Sequence, residues 1–247
     1  MGRKIKKSGP DYFELETNTV WSFPNRGSWA THNAKYRGNW SPYIPRNVIM
    51  RYSKKGDTVL DQFIGSGTTL VETRLLSRRG VGGDINPESV ALAYSQTNFD
   101  CESAGEVELH RSDARNLRFI VDESIDLICT HPPYANIINY SDGIDGDLSL
   151  LSVPDFIEQM KPVAMECFRV LKKGKYCAIL MGDTRQKGCV IPLGFKVMQV
   201  FEEAGFKPKE IIIKEQHNCK ATGFWKTNSV KYNFLLLAHE YLFVFRK

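Results

Sequence analysis

The sequence predicts an α/β fold built on a mostly parallel sheet with helices on both faces. Two observations carry this. Short apolar runs of strand length alternate with helix-period stretches through residues 57–247. The last two runs follow each other without a helical pattern between them, which predicts a terminal antiparallel hairpin.

Thr58, Val59 and Leu60 lead into Asp61 as the first buried strand, and Ser66 to Ser77 reads as a helix with Leu70, Val71, Leu75 and Leu76 on one side. Val81-Gly82-Gly83-Asp84 is the second strand. Pro87 suits the first turn of the next helix, which Val90, Ala91 and Tyr94 continue. Val107 to His110 and Ile125 to Cys129 are the third and fourth strands. Phe156 to Leu171 reads as a long helix stopped near Gly174, Tyr176 to Met181 as the fifth strand, and Leu193 to Ala204 as a helix ended by Gly205. Glu210 to Lys214 and Phe234 to Phe245 form the hairpin. Ligands in such sheets bind at the carboxyl ends of the strands, which places Asp61, Asp84, Asp113 and His131 on one rim.

The chain has 247 residues and a formal net charge of +5, unevenly laid out. Residues 1–56 hold 11 Lys and Arg against 3 Asp and Glu, residues 57–183 hold 11 against 20, and residues 184–247 hold 11 against 5. Basic flanks around an acidic middle suit a polyanion at the flanks and a cationic ligand at the centre. No apolar run reaches the roughly 18 residues of a spanning helix, and the basic start lacks the apolar segment of a secretory signal. The expectation is a cytoplasmic protein without membrane contact. The six cysteines form no C-x-x-C pair, which argues against a zinc or redox motif and for free thiols. Residues 1–56 read as a basic, aromatic segment packed on a catalytic domain of residues 57–247, one domain in all.

Two motifs carry the chemistry. The turn Gly65-Ser66-Gly67 brings the backbone close to a ligand at the start of a helix. It is not a phosphate loop, because no Gly-Lys-Ser/Thr follows. Asp84, at the end of the next strand, can accept both hydroxyls of a ribose. Asp113, after the third strand, can accept from an adenine amino group. Acids at three successive strand ends make the glycine turn specific. The second motif is His131-Pro132-Pro133-Tyr134, at the end of an apolar strand. Two prolines fix the backbone and leave the Pro132 carbonyl without a local donor. That carbonyl and a side-chain acceptor just before it can take both hydrogens of an NH₂ group, which aims the nitrogen lone pair at a methyl donor. Tyr134 offers a ring for a flipped base. Such transfer needs positioning more than a strong base.

With both motifs in view, the chain resembles the DNA amino-methyltransferases, which modify N4 of cytosine or N6 of adenine, over nearly its whole length. Asp61-x-Phe63-x-Gly65-x-Gly67, continuing as Thr68-Thr69-Leu70, is similar to the family's cofactor motif. His131-Pro132-Pro133-Tyr134 resembles its catalytic (Ser/Asn/Asp)-Pro-Pro-(Tyr/Phe) motif, with histidine as the departure. A neutral imidazole accepts one hydrogen bond, so the acceptor role of His131 is open at this point. The resemblance implies a Rossmann-like class I methyltransferase fold, a seven-stranded, mostly parallel sheet with a reversed terminal strand. It implies S-adenosylmethionine as cofactor and no metal. The implied cofactor contacts are Asp61, Phe63, Gly65, Ser66, Gly67, Thr68, Asp84, Ile85, Asp113 and Ala114, with Asn33, Tyr43 and Pro45 from the segment before the first strand. Carbon-5 cytosine chemistry is disfavoured, since no Pro-Cys pair supplies its nucleophile.

Basic and aromatic residues interleave between Trp21 and Arg51, including Trp29, Arg37, Trp40 and Arg46. They do so again between Lys214 and Lys231, including Lys220, Trp225 and Lys226. Cations suit phosphates and rings suit extruded bases. Residues 135–147, with Tyr140, read as a mobile loop over the target base, and Gly182-Asp183-Thr184-Arg185 as a further wall of its pocket. The expected reaction is methylation of a flipped DNA base, N4 of cytosine ahead of N6 of adenine. An RNA base amine and a non-catalytic cofactor-binding subunit are the alternatives. A cognate restriction endonuclease or a partner subunit is the expected protein partner.

Overall fold

The computed structural model describes residues 3–102, 104–217 and 222–247. In chain order the elements are β1 (Arg3–Lys4), β2 (Val20–Trp21), α1 (Tyr43–Tyr52), β3 (Thr58–Asp61), α2 (Thr68–Leu75), β4 (Arg79–Asp84), α3 (Pro87–Thr97), β5 (Phe99–Asp100), β6 (Val107–Arg111) and β7 (Ile125–Thr130). After a loop with two short 3₁₀ turns come α4 (Val153–Val170), β8 (Leu171–Met181), β9 (Thr184–Gln186), β10 (Cys189–Ile191), α5 (Leu193–Glu203), β11 (Lys207–Glu215), α6 (Thr222–Lys231) and β12 (His239–Arg246). The main sheet runs β2-β11-β12-β8-β7-β3-β4-β6. Strands β8, β7, β3, β4 and β6 are parallel, and β12 is antiparallel to both β8 and β11. Apart from β2, this is the expected seven-stranded, mostly parallel sheet with a reversed terminal strand.

Several elements go beyond the sequence reading, among them helix α1, the short pair β1–β5 and the hairpin β9–β10. An eighth strand, β2, pairs parallel with β11 and caps that edge. Two residues carry too little pattern to be read as a strand. Helix α6 lies between the last two strands, although they still pair as the expected antiparallel partners. Its sequence has no apolar stripe at helical spacing, which hid it. Strand β12 begins at His239 rather than at Phe234.

The parallel centre explains the burial. Every residue of β7 is buried, as expected of a strand covered on both faces. Alternate side chains divide between two cores. Cys177, Ile179 and Met181 of β8 and Phe243 and Phe245 of β12 pack with α4 and α5. Ala178 and Leu180 of β8 and Leu242 and Val244 of β12 pack with Trp21, Trp40, Ile44, Val48 and Ile49. Residues from 1–56 therefore form much of the second core. Trp21, Trp29 and Trp40 are 1%, 5% and 6% exposed. This corrects their reading as base platforms: they are core.

A buried carboxylate ties this segment to α2. Glu72, fully buried, accepts from Trp29 Nε1 (2.7 Å), pairs with Arg46 Nη1 (2.8 Å) and meets His32 Nε2 (2.8 Å). Of the described cysteines, Cys129, Cys167 and Cys177 are buried, Cys101 is half-buried and Cys189 exposed, all free. Among the described residues no helix is long and apolar enough to cross a membrane, and no cluster could hold a metal.

Candidate active site

The carboxyl ends of β3, β4, β6 and β7 open onto a cleft of about 740 Å³, counted out to solvent. Of the predicted cofactor residues, Asp61, Phe63, Gly65, Ser66, Thr68, Asp84, Ile85, Asp113 and Ala114 line it. Gly67 sits just behind. Its φ of 82° starts α2, and a Cβ there would meet Ala93 Cβ at 3.0 Å, so it serves close packing of α2 on α3.

The acids play different parts. Asp61 is 2% exposed and accepts from Thr69 Oγ1 (2.5 Å), Thr130 Oγ1 (2.7 Å) and the Phe63 N–H (3.1 Å). It ties β3, α2 and β7 together. Asp84 accepts from the N–H groups of Gly65 (3.0 Å) and Asn86 (2.9 Å), which leaves carboxylate lone pairs for a ligand. Burial pushes both acids up to about 6. Asp113 is paired with Arg115, whose Nη2 lies 2.6 Å from Oδ2.

Asn33, Tyr43 and Pro45 do not line this cleft, a correction to their assignment. Tyr43 stacks on Phe23 and meets Trp29 edge-on, and Pro45 is buried in α1. Asn33 borders a separate small cavity. The same segment instead contributes Tyr36, Gly38, Asn39 and Trp40. The Tyr36 ring lies over Gly65, and Asn39 accepts from Thr68 Oγ1 at 2.5 Å. The sequence signal was present, an aromatic-rich stretch ahead of the first strand, but the residues assigned from it fall on either side of the lining residues 36–40.

S-adenosylmethionine fits this donor set. The Ser112 hydroxyl and Gln62 Oε1 border the cleft, are buried and have no partner among the described residues, and such atoms call for a ligand.

A second cleft of about 860 Å³ adjoins the first and shares Gly38, His131 and Tyr140 with it. Pro133 faces the first cleft, and Pro132 and Tyr134 the second, so the Pro-Pro corner forms the partition. Gly182, Asp183, His239 and Glu240 complete the second cleft. A Cβ on Gly182 would lie 2.8 Å from the Tyr134 ring, so this glycine makes room for it. Thr184 and Arg185 sit on the β9–β10 hairpin rather than in the wall.

At the corner, His131 Nε2 lies 2.7 Å from Tyr134 Oη, which donates to Glu240 Oε1 at 3.0 Å. Lys214 Nζ donates to Glu240 Oε2 at 2.8 Å. The His131 ring stacks on Trp40 with centroids 5.4 Å apart. Burial pushes His131 down to about 4. Burial raises Glu240, but the Lys214 charge, the His131 ring and the hydrogen bonds from Lys214 and Tyr134 together outweigh it and keep Glu240 below its ordinary value. Sequence reading missed Glu240 and Lys214, which meet as opposite residues of β12 and β11.

Loop 135–147 crosses both clefts and is held at several points. The Tyr140 ring stacks on Tyr36 (5.9 Å), its carbonyl accepts from Asn86 Nδ2, and Ser141 donates to Asp147.

The expected nucleic-acid residues divide. Arg46 is committed to Glu72 and lies over Phe13 and Trp29, so it is a packing residue, not a free phosphate ligand. Arg37 is exposed near the cleft mouth, and Tyr140 lies on the partition. Trp225 (49% exposed) and Lys226 stand on α6. Lys220 lies outside the described residues, as does Cys219.

Comparison with known proteins agrees with this arrangement. Residues 2–95 and 125–247 match the N6/N4 DNA methylase family model. The tRNA (guanine(10)-N2)-dimethyltransferase of Methanothermobacter thermautotrophicus is 39% identical over 100 residues, covering 40% of this chain and 29% of that relative. The Type II methyltransferase M.MjaI of Methanocaldococcus jannaschii is 27% identical over 162 residues, covering 55% of this chain and 54% of the relative. The chain thus spans about half or less of these curated relatives. A SAM-dependent methyltransferase structure from Methanosarcina mazei shares the fold, with a TM-score of 0.57 at 18% identity, over 81% of this chain and 96% of that one. The rim of acids, the Pro-Pro partition and a family match across most of the sequence lead to one conclusion: the chain belongs to the N6/N4 DNA methylase family of S-adenosylmethionine-dependent amino-methyltransferases.

Proposed function

We propose that this protein methylates the exocyclic amine of a base flipped out of DNA, with N4 of cytosine as first target and N6 of adenine as second. The observation that carries this reading is the partition. The His131–Tyr134 corner separates a cleft bearing the acid set from a second cleft, and borders both. A methyl donor in one and an amine in the other would meet across Pro132 and Pro133.

In this reading Asp84 accepts the ribose hydroxyls, Asp113, Ala114 and Ser112 border the adenine, and Phe63 and Ile85 supply apolar walls. When bound, S-adenosylmethionine supplies an electrophilic methyl group, and the C–S bonding pair stays on sulfur as the amine nitrogen takes the carbon. The Pro132 carbonyl accepts one amine hydrogen, and Tyr134 presents its ring to the base. Residues 1–56, which complete the second core and the cleft rim, belong to the same catalytic unit. Arg37, Trp225 and Lys226 offer charge and a ring to the DNA around the flipped base. A cognate restriction endonuclease or a partner subunit is the protein partner that goes with this reading.

Support for cytosine comes from motif order, cofactor motif ahead of Pro-Pro motif, which N4-cytosine enzymes share. The similarity to a tRNA guanine methyltransferase supports an RNA base amine as the reading that follows the two DNA bases. Incubation with labelled S-adenosylmethionine and DNA or RNA, then digestion and nucleoside mass spectrometry, tests both. N4-methylcytosine in DNA is the expected product. Label confined to RNA overturns the DNA reading, and bound cofactor without transfer to either supports a non-catalytic subunit.

A further inference from the structure

The histidine at the first position of the catalytic corner has no counterpart in the family pattern, and its surroundings determine what it does. Glu240 is 7% exposed, and its two oxygens meet Lys214 Nζ and Tyr134 Oη. An ionised carboxylate only accepts. Tyr134 therefore spends its one hydrogen on Glu240. Its oxygen is left to accept, and the neighbour at 2.7 Å is His131 Nε2. A neutral imidazole carries one ring hydrogen, so a proton on Nε2 leaves Nδ1 bare. Among the described residues nothing hydrogen-bonds to Nδ1, and the ring borders both clefts.

We propose that Lys214, Glu240 and Tyr134 act as positioning residues that lock His131 in the Nε2–H tautomer, so that its Nδ1 accepts the second hydrogen of the target amine. This rests on the amine-methylation reading above. The imidazole then does what serine, asparagine or aspartate does elsewhere in the family, but only because the chain behind it fixes its proton. The step balances. The amine lone pair forms the N–C bond, the methyl's old bonding pair stays with the departing thioether, and the nitrogen becomes cationic. It regains neutrality by passing one proton to Nδ1. Burial holds the imidazolium at about 4, so that proton passes on to water through the second cleft at neutral pH.

The test combines a tautomer measurement with a mutant cycle. Protein labelled with ¹⁵N-histidine, with the His131 signal assigned by its loss in His131→Asn, is expected to show Nε2–H alone, without substrate. Glu240→Gln places an amide donor beside Tyr134 and is expected to let the chain reverse, so that Nδ1–H appears. Tyr134→Phe keeps the ring but cuts the chain, and is expected to lower kcat about 10- to 100-fold with cofactor affinity unchanged. In a His131→Asn background, whose side-chain carbonyl needs no relay, the same change should cost less than about threefold. Nδ1–H in the native protein, or equal losses in both backgrounds, would overturn the proposal. Nε2–H in a protein that methylates no nucleic acid would instead overturn the reaction assigned above, and the acceptor role with it.

Discussion

Two carboxylates of similar acidity, the buried Asp61 and the half-buried Asp84, separate scaffold from site. Asp61 has its oxygens occupied by Thr69, Thr130 and the Phe63 N–H, whereas Asp84 faces the cleft with two backbone donors behind it. Asp84→Ala is expected to weaken S-adenosylmethionine binding about 10- to 100-fold by titration calorimetry, the loss of one or two charge-assisted hydrogen bonds. Unchanged affinity would remove the ribose assignment. His131 makes a pH prediction. Its folded pKa of about 4 lies below the ordinary 6.5, so between these values the unfolded chain binds more protons. Its contribution to stability is therefore present above 6.5 and is lost as pH falls toward 4. The Tm of the native protein should fall relative to His131→Asn over that window, with Glu240, Lys214 and Tyr134 as the polar groups facing it. A constant difference would sink the assignment. Asp84, Asp113 and the Pro-Pro corner were legible in sequence because each sits at a strand end with a chemical signature. Glu240, Lys214 and Tyr36 were not. Their roles depend on which strands lie side by side and on where a loop folds back, and neither is a local property.

At the scale of elements, α2 and the segment before β3 are joined through Glu72. Removing one partner of a buried ion pair typically costs about 3–5 kcal/mol. Glu72→Ala strands Arg46 and is expected to lower stability by that order in chemical denaturation. Cofactor affinity should fall as well, because Tyr36 and Trp40 lie on the segment it anchors. Full stability in this variant would show the link to be dispensable. The central strands were readable because burial on both faces makes them continuous apolar runs. Helix α6 was not, since Phe224, Trp225 and Val230 stand exposed on it and no single face turns inward. On the proposed reading the exposed rings and lysines of α6 contact DNA, and Trp225→Ala should weaken DNA binding while leaving cofactor affinity alone.

For the whole molecule, the basic flanks of the sequence fold onto the same structure as the acidic middle. The middle supplies the carboxylates of the first cleft, and the flanks supply Arg37 and the cations of α6. DNA affinity is expected to fall steeply with salt, and Lys226→Ala to reduce the slope of log K against log salt by about 1. A salt-independent affinity would place the contact elsewhere.

The reversed strand carries a last consequence, for biosynthesis. Because β12 runs against its neighbours, its first residues reach the rim where β8 ends, and Glu240 stands beside a corner formed more than a hundred residues earlier in the chain. The two clefts are walled by residues from Tyr36 to Glu240. A ribosome-bound chain that has reached only the glycine turn and the Pro-Pro corner still lacks the carboxylate that orients His131. On the proposed reading, base modification therefore waits until the chain has been made through β12, after nearly all of the supporting sheet.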